Sequence, residues 1–152
     1  MGFHEQVNIF WHVVLASVLS GIIGYERERG DKPAGIRTNM IVGGAVTLLV
    51  LLGEVITLHF HAMSLGDAVR VDPTRIIQAI VVGVSFIGAG TVLQIATKSK
   101  IKYLTTAATI LFSTGIGISV ALDLIILAVF LTVFVLFINS VIAWIGRKWK
   151  DK

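Results

Sequence analysis

Long apolar runs separated by short charged stretches set out the plan of this chain. The first run extends from about Asn8 to Tyr25 and stops at Glu26-Arg27-Glu28-Arg29-Gly30-Asp31-Lys32-Pro33. A second covers about Asn39 to Phe60 and a third about Arg75 to Ala96. After Lys98-Ser99-Lys100-Ile101-Lys102, one apolar block continues from Leu104 to Ile145 with Asp123 as its only charged residue. As a single helix those 42 residues would reach about 63 Å, twice the ~30 Å hydrocarbon core, so the block must turn once. Asp123 marks that turn better than the competing Gly115 and Gly117. The pattern predicts an all-α integral membrane protein: one five-transmembrane-helix bundle over residues 1–152, with spans of about 8–25, 39–60, 75–96, 104–121 and 124–145.

Composition points the same way. Of 152 residues, 55% are hydrophobic and 14% charged, and the mean hydropathy is +0.88, whereas soluble domains are about one quarter charged. Five spans use most of the length, so the chain is expected to carry no C-terminal soluble domain. The absence of Cys excludes disulfides, thiolate metal sites and thiol nucleophiles. With no zincin motif, nucleophile elbow or phosphate loop either, neither an enzyme nor a cofactor is expected. No Lys or Arg precedes the first run, so a basic signal-peptide region is missing, and Gln6 stands where a myristoylation signal needs Ser or Thr.

Charge orients the spans. Alternating sides collects eleven Lys and Arg on the face of the first loop, third loop and tail, and two, Arg70 and Arg75, on the other. The positive-inside rule then puts the N-terminus outside and the C-terminus in the cytoplasm. The net charge of +4 divides into about +7 inside and −3 outside, which reports orientation on an anionic leaflet and not a nucleic-acid partner.

Small residues at helical spacing mark faces that pack against other helices: Ala16, Ser20 and Gly24; Ala79 and Gly83; and Thr105, Thr109, Ser113, Gly117 and Ala121. The fifth span, rich in Leu, Ile, Val and Phe, reads as peripheral and lipid-facing. Among charged residues, Glu26 and Arg37 are expected to pair, and Asp72-Pro73 has the pattern of a helix cap that leaves Arg75 to pair with Asp72 or Glu54. Glu54, about fifteen positions into the second span, is a candidate ion or proton site together with Asp72. His4, His12, His59 and His61 fall on the predicted outer face, where they read as interfacial residues or as sensors of external acid. His59 and His61, two apart, point to different helix faces and make no ready metal pair.

The order of motifs resembles a known family. Gly24-Tyr25-Glu26-Arg27, Ala34-Gly35-Ile36-Arg37-Thr38-Asn39, Asp72-Pro73-Thr74-Arg75, Phe86-Ile87-Gly88-Ala89-Gly90 and Leu104-Thr105-Thr106-Ala107-Ala108-Thr109 are similar to those of the MgtC/SapB family, over about residues 12–120. The resemblance implies a membrane domain of about five spans in the bacterial inner membrane. It makes Glu26, Arg27, Arg37, Asp72 and Arg75 the characteristic charged positions, and Gly35, Gly83, Gly88, Gly90, Thr105 and Thr106 the small packing positions. Family members are linked to growth in low Mg²⁺ and to virulence, and some bind other membrane proteins, including the proton-translocating ATP synthase. Two departures stand out: Tyr103 occupies the usual Gly position before Leu-Thr-Thr, and Leu111 a position where an aromatic is common. The expected function is therefore a non-enzymatic modulator that binds membrane proteins and is plausible as a homo-oligomer; the alternative is a Mg²⁺ or proton channel or transporter.

Overall fold

The computed structural model describes residues 2–62, 72–93 and 103–150 as five helices: α1 Phe3–Arg29, α2 Ile36–Ala62, α3 Pro73–Leu93, α4 Leu104–Ala121 and α5 Ile125–Lys150. Among the described residues there is no strand. α1 to α4 are each long and apolar enough to cross a membrane, and the apolar part of α5 runs over Ile125–Val141. The molecule is a multi-pass helical membrane protein. Two helices run past their apolar segments into the charged motif at 26–39, because backbone hydrogen bonding does not stop where hydrophobicity does.

The start of α3 and the turns that join α1 to α2 and α4 to α5 have local causes. α3 opens as the Asp-Pro pattern predicts: Asp72 Oδ1 accepts from the Thr74 amide at 2.9 Å and from its hydroxyl at 2.6 Å, with Pro73 at the first helical position. The α1–α2 turn needs left-handed backbone at Asp31 (φ 49°) and Ala34 (φ 57°), and Glu28 Oε2 caps the next helix by accepting from the Ile36 amide at 3.0 Å. α4 runs unbroken through Gly115 and Gly117 and turns at Asp123, as the length argument requires. There the Leu124 amide returns to the Ser119 carbonyl and the Asp123 amide to that of Val120, the 6→1 and 5→2 bonds of a Schellman ending, with Asp123 (φ 57°) in the usual glycine place. Tyr103 starts α4 in the same left-handed region at φ 70°. Glycine reaches that conformation without strain, which fits the Gly that the family resemblance implies here.

α4 is the axis of the bundle. It packs against every other helix and has over half of its residues buried, whereas among the described residues α3 touches only α2 and α4. α1 and α2 form the most extensive antiparallel pair and lie together on α4. Their interface is built from backbone approaching backbone. Ala16, Ser20 and Gly24 are all buried, and a Cβ on Gly24 would stand 2.7 Å from the Gly35 carbonyl oxygen and from Ile36 Cα. A Cβ on Gly117 would stand 2.6 Å from the Gly43 carbonyl oxygen. Thr109, Ser113, Gly117 and Ala121 line the buried side of α4, while Thr105, which heads that stripe, is exposed.

Candidate functional site

Two polar regions occupy opposite ends of the bundle. At the first, the end of α1, the start of α2 and the start of α4 bring the charged motifs together. Asn39, fully buried, donates to the Ala34 and Gly35 carbonyls at 2.6 and 3.0 Å and accepts from the Ser113 hydroxyl at 2.8 Å. Deeper in the bundle, Thr47 Oγ1 lies 3.0 Å from the Gly43 carbonyl and donates across to that of Gly117 at 2.8 Å. These bonds lock α2 to α4 and satisfy the side chains of Asn39, Thr47 and Ser113, as a lipid-embedded interior requires.

The charged residues divide differently from the sequence expectation. Glu26 Oε2 accepts from Asn139 Nδ2 at 2.9 Å and its Oε1 lies 3.7 Å from Lys32 Nζ. Arg37, the expected partner of Glu26, is exposed and makes no ion pair among the described residues. The α1–α2 turn carries Lys32 back towards Glu26, leaving the opening turn of α2 to project Arg37 outward. Arg27 is the unusual member. It is 1% exposed, its Nη2 donates to the Thr106 hydroxyl, and its Nε and Nη1 have no partner among the described residues. A buried guanidinium whose Nε and Nη1 find no protein acceptor among the described residues is costly, because protein hydrogen bonds at these two nitrogens do not repay its desolvation.

At the opposite end, a cleft of about 520 Å³ is lined by Glu5, Asn8, His12, Glu54, His59 and Asp123 with an apolar back wall. His12 Nε2 lies 2.9 Å from Asp123 Oδ1 and its Nδ1 2.8 Å from the Asn8 carbonyl oxygen, tying α1 to the α4–α5 turn. Both ring nitrogens face acceptors, and only the imidazolium donates at both. Glu54 is exposed here and also lines a second cleft of about 420 Å³ with Thr57, Pro73 and Asp123. Among the described residues no group of three His, Asp or Glu side chains stands close enough to hold a metal ion. Asp67, Arg70 and the side chain of His61 lie outside the described residues.

The Asp72 and Arg75 pair sits at this same end, with Arg75 Nε 3.8 Å from Asp72 Oδ2. Of the two partners expected for Arg75, it is therefore Asp72 that the structure supplies. Hydrogen bonds from the Thr74 hydroxyl and amide, with the Arg75 charge behind them, hold the Asp72 carboxyl below the usual carboxylate range. The sign follows: the carboxylate cap contributes at pH above the ordinary carboxylate pKa and is lost as pH falls through the lowered one. Thr74→Val removes one of these bonds, so Asp72 should titrate at higher pH than in the wild type. A carboxyl-carbon NMR titration reads this directly, and an unchanged midpoint would show that the hydroxyl does not act on the carboxylate.

Of the small positions, Gly24, Gly35, Gly88, Thr106, Ser113 and Gly117 meet a neighbour closely, with Gly88 against Ala107. Gly83 and Gly90 differ from expectation: a Cβ at either would meet nothing within 4 Å, because both face away from α4. Asn39, Asn139 and the His12–Asp123 contact are the polar elements that spacing alone did not single out. For Asn139 the signal was there, since Ala128, Thr132, Val135 and Asn139 recur at helical spacing and form the buried side of α5.

Comparison with known proteins gives this chain relatives. The model of the MgtC family matches residues 13–148. Relatives include Protein SrpB of Synechococcus elongatus, 30% identical over 96% of this chain and 84% of that protein. They also include the putative magnesium transporter YhiD of Escherichia coli, 33% identical over 85% of this chain and 58% of that protein. Protein MgtC of Brucella abortus is 34% identical over 84% of this chain and 48% of that protein. SrpB apart, the chain spans about half the length of these curated relatives. No solved structure matches it.

Proposed function

Because this chain belongs to the MgtC family, we propose that it is a non-enzymatic modulator of the bacterial inner membrane, acting in low-Mg²⁺ or acid adaptation by binding other membrane proteins. The proton-translocating ATP synthase is the partner that the family resemblance suggests. In this reading all five helices span, and the end carrying Arg27 faces the cytoplasm with the Glu54 end outside, as the partition of Lys and Arg requires.

One observation carries the proposal: the close packing of the helices among the described residues. α1, α2 and α4 meet backbone to backbone at Gly24, Gly43 and Gly117, and α3 continues as an unbroken helix through Gly88-Ala89-Gly90. Carriers place their substrate near the midplane between interrupted helices, and this packing supports a solid module instead. The test is affinity capture from native bacterial membranes, with ATP synthase activity followed on overexpression. Recovery of this chain alone, with unchanged ATP hydrolysis, would overturn the modulator reading.

A second reading, conduction of cations or protons, is favoured by Glu54, which lines both clefts at the Asp72 end. The name of the E. coli relative points the same way. Purified protein in liposomes should then pass Mg²⁺ or protons, and Glu54→Gln or Asp72→Asn should reduce the flux. Rates equal to those of empty liposomes would exclude it.

A further inference from the structure

We propose that the groove between α2 and α3 holds an acyl chain of one phospholipid whose zwitterionic headgroup, a phosphate with a primary ammonium, sits on Arg75 and Asp72. The groove is about 710 Å³, and Arg75 is the one polar residue among its lining. Its walls include Val42, Ala45 and Leu49 of α2 against Ala79, Gly83 and Ile87 of α3. The two helices meet where Ile76 approaches Gly53, and small side chains keep the groove open along the rest of its course.

Length and lining suit the occupant. From Arg75 to Ile87 the groove runs about 18 Å along α3, close to the ~15 Å depth of one leaflet. Apart from Arg75 its lining is apolar over that length, which suits a hydrocarbon chain. The groove therefore begins at a charged rim and ends near the depth an acyl chain reaches.

Charge selects the headgroup. Arg75 is 84% exposed and Asp72 48%. Asp72 Oδ1 is occupied by Thr74, whereas its Oδ2 has only the 3.8 Å approach of Arg75 Nε, and the Arg75 Nη groups have no partner among the described residues. The rim thus presents one open cation beside one open anion. A phosphate with its ammonium is the complementary dipole. A headgroup with the phosphate alone would satisfy Arg75 and be repelled by Asp72.

The experiment uses the full chain purified in detergent, mixed with equal amounts of phosphatidylethanolamine and phosphatidylglycerol of the same acyl chains, and read by native mass spectrometry. The wild type should retain phosphatidylethanolamine by roughly threefold to fivefold over phosphatidylglycerol, the size expected of exposed ion pairing. Asp72→Asn keeps the Thr74 hydrogen bonds and should bring the ratio to about one. Gly83→Leu, which grows into open space, should release both lipids without shifting the thermal melt. Equal retention by the wild type, an unchanged ratio in Asp72→Asn, or undiminished lipid in Gly83→Leu would overturn the proposal. So would a lipid-free dimer that Gly83→Leu dissociates, which would make the groove an interface between copies.

Discussion

Gly117→Leu is expected to destabilise the bundle by about 2–4 kcal/mol, the largest loss for any single small-to-large change on α4. The first added carbon alone would stand 2.6 Å from the Gly43 carbonyl oxygen and 3.1 Å from Val46. The nearer contact cannot be relieved by turning a side chain, because its atom is backbone, so α2 and α4 must separate. Separation also breaks the 2.8 Å bond from Thr47 to the Gly117 carbonyl, leaving the Thr47 hydroxyl only the Gly43 carbonyl of its own helix. Gly115→Leu is the control, two residues away on the same helix and facing open space, and it should stay within roughly 1 kcal/mol of the wild type. Thermal or dodecyl sulfate unfolding in detergent measures both. Equal losses in the two variants would mean that close approach at Gly117 does not hold the bundle together.

The contrast between Gly117 and Gly83 shows what a sequence with this pattern conveys. Both sit on stripes of small residues at four-residue spacing, and the spacing says only that a backbone is accessible on that face. Whether another helix arrives there depends on where the chain returns, which local sequence does not encode. α4 is covered by all its neighbours, whereas α3 is covered on one side, so the same motif becomes a contact in one helix and a groove wall in the other. The five helices and the turn at Asp123 were legible because they depend on length and apolar content alone. The Asp72-Pro73 cap was legible because it is contained within three residues. The partners of Glu26 were not: Asn139 is 113 positions away, and the approach of Lys32 requires positive φ angles at Asp31 and Ala34, residue types that do not announce them. α5 read as lipid-facing because its many large apolar residues outweigh the narrow buried line of Ala128, Thr132, Val135 and Asn139.

Arg27→Met is expected to leave the bundle at least as stable as the wild type, by up to about 3 kcal/mol, while removing the activity assayed by partner capture or by growth in low Mg²⁺. The argument rests on the imbalance at this side chain. Its guanidinium is 1% exposed and makes a single hydrogen bond, to Thr106, with Nε and Nη1 idle among the described residues. Glu26, adjacent in sequence, is committed to Asn139 and Lys32. An apolar side chain of similar length removes the desolvation cost and keeps the packing. Thr106→Val tests the same bond from the other side. It should cost about 1–3 kcal/mol in the wild type, by stranding the last engaged nitrogen, and close to nothing in the Arg27→Met background. Together the two substitutions separate retention for stability from retention for function. If Arg27→Met instead lowers the melt and Thr106→Val remains costly without the arginine, the guanidinium is a structural tie whose other donors are satisfied. If both behave as expected, a charge that weakens the fold has been kept for what it does when the protein acts.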